Sequence, residues 1–132
     1  MPVPSPAPDR LRQHPEERLA APVQLVDLTE TATALRSEAH NSVAGHRQIA
    51  VYRHGPVTIV SFVFEPDGIL KEHSADGVVT ILALSGHIRV IAEEQAYDLT
   101  AGRLLALAPE IPHTVMAVKA SEMLLTVHKG AL

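Results

Sequence analysis

The chain has 132 residues, no cysteine, no tryptophan and a formal net charge of −4. That length fits one domain, and the missing cysteines exclude disulfides, thiol nucleophiles and cysteine-ligated zinc. The interspersed charges, with no basic face, speak against nucleic acid as the partner, and two Tyr and two Phe make a poor platform for stacking sugars or bases.

Residues 1–8 alternate proline with small residues, which predicts an extended, disordered tail because each proline lacks an N–H and disfavours helix before it. Residues 9–20 are charged and broken by Pro15, so 1–23 reads as a leader and 24–132 as the domain. The start has neither the basic end nor the apolar run of a signal peptide, and no apolar stretch approaches the length of a membrane span. The expectation is a cytoplasmic protein without a membrane partner. Val23 to Leu28 reads as a short strand or an extended lead-in. After it, Leu28, Ala32 and Leu35 share one helical face, which predicts a helix over 29–39 capped by Thr29.

From Arg47 the period changes to two. Strands are expected at 47–53, 57–64, 69–73, 78–84, 87–93, 95–99, 103–107, 113–118 and 122–128. Between them stand Gly, Pro, Asp and Ser, the residues of tight turns. Short strands at this spacing indicate an all-β sandwich or barrel. Lys71, Glu72, Glu93 and Glu94 read as solvated faces of edge strands, where charge also discourages edge-to-edge association. His14, His40, His46 and His54 read as surface residues, because no two of them have helical ligand spacing.

The stretch from Gly68 to His113 resembles the cupin superfamily in its small single-domain form. The first cupin motif maps onto Gly68, His73, Ala75, Val79 and Gly86, with Ala75 standing where a second His belongs and Val79 where a Glu belongs. The second maps onto Gly102 and the run Ala108-Pro109-Glu110-Ile111-Pro112-His113, with Ala117 at the Asn position and Arg103 where an Asp often follows the Gly. The resemblance covers about residues 45–128 and implies an all-β jelly-roll barrel and a homodimer, for which 47–53 and 57–64 are the candidate interface strands.

The resemblance also implies a cavity with a three-His, one-carboxylate metal site. Such a donor set suits Fe, Mn, Ni, Cu or Zn. Here two of the four ligands are apolar, which leaves His73 and His113 as possible metal residues, with His128 or His87 as the candidate further donor and Glu110 and Thr80 behind them. Arg89 and Arg103 read as exposed arginines by default, with a carboxylate ligand as the partner they could reach. If His73 points inward, alternation sends Ala75, Gly77, Val79 and Ile81 inward too. Three functions follow as expectations: a small-molecule binding module with a degenerate metal site or none, a metal-dependent dioxygenase or isomerase using His73 and His113, or a dimeric structural or regulatory domain.

Overall fold

The computed structural model describes residues 21–130. The expected tail and charged leader, 1–20, lie outside the described residues. Val23 to Leu28 does not form a strand; it leads directly into α1 (Leu28–Arg36). The cap of α1 is Asp27 and not Thr29: the Asp27 carboxylate accepts from the Glu30 N–H at 3.0 Å. Asp is the stronger cap, and its charge also faces the positive end of the helix. The helix ends at Arg36 because Ser37 bonds back to Thr33 and Ala34.

Nine strands follow: β1 (His46–His54), β2 (Val57–Phe64), β3 (Ile69–His73), β4 (Gly77–Ser85), β5 (His87–Ala92), β6 (Gln95–Thr100), β7 (Leu104–Leu107), β8 (His113–Ala117) and β9 (Ser121–Lys129). All pair antiparallel. One sheet has the order β1-β2-β9-β4-β7 and the other β3-β8-β5-β6, so the chain forms the expected jelly roll. Among the described residues no helix is long and apolar enough to cross a membrane.

The core lies between the sheets. Phe62, Phe64, Val79, Ile81, Met123 and Leu125 come from one, and Ile88, Val90, Leu99, Val115 and Ala117 from the other. Burial alternates cleanly along β4, β8 and the first half of β9, the period-two signature of a strand with one face on a core. Helix α1 packs outside the barrel, setting Ala32 and Leu35 on Val63 and Ile49, and Arg36 reaches Glu122 at 2.7 Å.

Two turns depart from their expected chemistry. Glu93 and Glu94 are not on a strand face; they form the β5–β6 hairpin turn, both with positive φ (50° and 64°). That backbone normally selects Asn-Gly. Gly86, the last glycine of the first motif, links the two sheets with φ 79°, and a Cβ there would collide with Ala120 O and Ser121. The Ser121 hydroxyl accepts from the His87 N–H (2.9 Å) and donates to Lys119 O (2.7 Å), closing this corner.

Candidate functional site

His73 ends β3, His113 begins β8, and the two are cross-strand partners. On β8 the inward positions are His113, Val115 and Ala117, all buried. On β3, Leu70 pairs with Val115 and His73 with His113, so Lys71 and Glu72 stand opposite the single residue Thr114. This β-bulge is what brings Leu70 and His73 to the same side although they are three residues apart. The ring centroids of the two histidines are 4.2 Å apart, tilted by 57°.

Both rings have a fixed tautomer. His73 Nδ1 lies 2.9 Å from Lys71 O, and His113 Nδ1 lies 2.9 Å from Ile111 O. A carbonyl only accepts, so each Nδ1 carries a proton, and in the neutral ring Nε2 is then the atom with the lone pair. His113 is 1% exposed, and its Nε2 is buried with no hydrogen-bond partner. Burial pushes the His113 pKa below the ordinary imidazole value; the Ile111 carbonyl opposes this and the neighbouring His73 adds to it. His113 is therefore a neutral imidazole at neutral pH, an acceptor in want of a donor.

The surroundings are apolar. Val79 is buried, and Ala75 and Ile111 pack against the core. The inward alternation expected from His73 holds at Gly77, Val79 and Ile81. The Glu110 N–H donates to Ala75 O at 2.7 Å and ties the two motif segments together. Glu110 has φ 64°, the left-handed backbone for which the second motif uses Gly.

The further donors do not converge on the pair. His128 pairs with Val57 and Val78; Met123 and Leu125 point inward on β9, so His128 projects from the outer face of the five-stranded sheet. His87 alternates with buried Ile88, Val90 and Ala92 and projects from the outer face of the other sheet. There its Nε2 lies 2.8 Å from Asp98 Oδ1, and Arg89 Nε donates to the same oxygen at 2.9 Å. Thr80 points outward between buried Val79 and Ile81, and Glu110 is exposed. Arg89 thus does reach a carboxylate, but one outside the barrel, while Arg103 donates to the Asp98 carbonyl at 3.3 Å. Among the described residues no three His, Cys, Asp or Glu side chains gather as a metal site would need.

His46 is not a surface residue: its ring sits against Phe62 and Phe64, at 5.9 and 5.7 Å, with Nδ1 3.0 Å from Ile69 O. Its pairing with Phe64 places it on the inward side of β1. That signal was present in the alternation of β1 once β2 was taken as its partner.

The comparisons bear on the fold alone. No protein-family model matches the chain, and no curated protein matches it either. Solved structures do. A cupin superfamily protein from Desulfitobacterium hafniense is 20% identical with a TM-score of 0.64, over 73% of this chain and 88% of that one. An RmlC-like cupin from Desulfovibrio desulfuricans is 25% identical with a TM-score of 0.59, over 64% and 82%. The chain has the cupin fold. A conserved protein of unknown function from Streptococcus pyogenes is similar over a longer stretch, 83% of this chain and 90% of that one, at 23% identity and a TM-score of 0.66.

Against the cupin pattern, the residues present fit a metal only in part. The two imidazoles have the tautomer a metal requires, with Nδ1–H held by a carbonyl and Nε2 free, the usual outer-shell arrangement of a ligating His. The other two ligand positions, Ala75 and Val79, have no donor atom. The set does not fit a metal held by the protein's own side chains.

Proposed function

We propose that this chain is a cupin-fold binding protein for a small molecule, with His73 and His113 as the polar anchor of an otherwise apolar site and no resident metal. The observation that carries this reading is the His113 Nε2, buried and unpartnered beside a second imidazole whose Nδ1 is likewise tied back. A buried acceptor without a partner costs about 1–3 kcal/mol, a cost that a ligand N–H or O–H relieves on binding. Ala75, Val79 and Ile111 then favour an apolar body behind that donor group, which is the ordinary make-up of a small-molecule site.

The test is a thermal-shift screen of small amines, amides and phenols against the wild type and His73→Leu. Compounds that raise the wild-type melting temperature and leave the variant unmoved support the reading. A set of hits that stabilise both proteins equally contradicts it.

A second reading is favoured by one observation. Both Nδ1 atoms bond carbonyls, so a metal-dependent enzyme of the cupin type would find two ligands ready on His73 and His113. Among the described residues it lacks further protein donors, and it predicts that untagged protein carries a transition metal which His113→Ala loses while the fold survives.

A further inference from the structure

The register that pairs the two histidines continues across the whole four-stranded sheet. His73 of β3 stands opposite His113 of β8, His113 opposite Ala92 of β5, and Ala92 opposite Gln95 of β6. Residues in register share a face of the sheet. Ala92 is buried in the core, so the row faces inward, and Gln95 is its exposed end. Along β6 the same face carries Tyr97 and then buried Leu99, so exposure grows from the core to Gln95. The two-residue turn Glu93-Glu94 sets Gln95 directly opposite Ala92. Tyr97 packs on the core, and its hydroxyl donates to Gln95 Oε1 at 2.7 Å. That bond turns the amide oxygen toward Tyr97, and among the described residues the amide N–H groups bond no protein atom.

We propose that Gln95 is the second anchor of the site formed by His73 and His113, and that the ligand is a flat apolar molecule with an O–H or N–H at one end and a carbonyl oxygen at the other. This rests on the reading that the His pair anchors a ligand. The hydrogen-bond sense at the two ends is opposite. With each Nδ1–H tied to a carbonyl, a neutral imidazole offers only the Nε2 lone pair, so the ligand must donate there. With Oε1 engaged by Tyr97, the free hydrogen-bonding groups of Gln95 are its N–H, so the ligand must accept. An ammonium ion would satisfy the imidazoles but set a donor against the donor of Gln95. The spacing sets the length. Two strand-to-strand steps of about 4.8 Å put the Cα atoms of His113 and Gln95 roughly 10 Å apart. Two hydrogen bonds of about 3 Å each leave a gap that one aromatic ring with a carbonyl substituent spans. Ala92 is the floor of that gap, its methyl leaving room that a larger side chain would fill, and Tyr97 stands beside it on the next row of the same face.

Isothermal titration calorimetry on the full chain tests this with two compounds of similar shape: para-hydroxyacetophenone, which has both groups, and para-ethylphenol, which lacks the acceptor. The wild type is expected to bind the ketone about fivefold more tightly, the effect of one hydrogen bond. Gln95→Leu and Gln95→Glu are expected to remove that preference and to leave the affinity for the ethylphenol unchanged. His73→Leu is expected to weaken both compounds. Gln95 is exposed, so both of its variants are expected to keep the wild-type circular dichroism. An ethylphenol bound as tightly as the ketone overturns the proposal. So does a ketone that the wild type does not bind, or a Gln95→Glu variant that retains the preference. In each of these cases, binding of the ethylphenol or of any hit from the thermal-shift screen that still depends on His73 leaves the His anchor standing. Loss of that dependence for every compound removes both readings.

Discussion

The outer face of the five-stranded sheet presents Ile59, Leu82, Leu104 and Leu124, while that of the four-stranded sheet presents His87, Arg89 and Asp98, joined through one carboxylate oxygen. Their inner faces are alike: both supply fully buried aliphatic side chains to one core. The difference lies in what each strand does with its alternate residues. Strands β5 and β8 alternate buried positions with more exposed ones, His87, Arg89 and Thr114 among them, and suit a solvated sheet. Strands β2, β4 and β9 place apolar residues on both sides, Ile59, Leu82 and Leu124 among those facing outward. The His pair belongs to the four-stranded sheet.

Five substitutions, the first two read as a pair, sharpen this contrast, taken from the largest effect to the smallest. Met123→Ala, on the inner side of β9 and fully buried, is expected to cost about 2–5 kcal/mol in urea unfolding. Its neighbour Leu124→Ala, on the outer side, is expected to cost about 1 kcal/mol or less at concentrations where the chain is monomeric. Equal costs would break the distinction between the two faces of this sheet.

Gly86→Ala acts on the link between the sheets. It combines a left-handed backbone (φ 79°) with a steric clash at Ala120 O. A loss of about 1–3 kcal/mol is expected from the strain, measured by thermal unfolding; a silent substitution would show that the corner gives way.

His113→Leu acts on the His pair. It removes the unpartnered Nε2 but also the Nδ1–H bond to Ile111 O, so the two effects oppose and stability is expected to change by no more than about 1 kcal/mol, while ligand binding is lost. The same site gives a pH dependence with a definite sign. The folded pKa of His113 lies below its unfolded value, so the unfolded chain binds more protons in between. Stability is therefore full above the ordinary imidazole value, near 6.5, and declines as the pH falls below it. In His113→Leu this decline should shrink.

Asp98→Asn is expected to matter least. The pKa of Asp98 is lowered chiefly by its hydrogen bond to His87; desolvation opposes this, and Arg89 assists. Its contribution is present above the unfolded carboxylate value and is lost as the pH falls through the folded one. Both partners are exposed and screened by solvent, so the acid limb of the stability profile should shift only slightly. A large shift would mean that the charged face is structural and not merely solvated.

Most of the fold was legible from the chain. The strand limits at Val57–Phe64 and Ile69–His73 coincide with the expected ones, because turn residues flank both: Gly55-Pro56 before the first, Pro66-Asp67-Gly68 between them and Ser74 to Gly77 after the second. Reading the site required knowing which way each strand faces. Along β5, Arg89 between Ile88 and Val90 fixes the direction, so the outward placement of His87 was readable in principle. Along β9, Glu122 and Thr126 share a face with His128 while Met123, Leu125 and Val127 take the other, so the outward placement of His128 was readable too, and only Leu124 blurs the alternation. The bulge at Lys71 and Glu72 was hidden, since it depends on the partner strand and leaves no mark in the local sequence.

The central claim is that His73 and His113 serve a ligand without a metal of their own. It is tested most directly by elemental analysis of protein expressed and purified without an affinity tag. The account predicts transition metal well below one equivalent per chain, removed by dialysis and identical in His73→Leu. One tightly held equivalent of Fe, Mn, Ni, Cu or Zn, lost on substitution of either histidine, would contradict it.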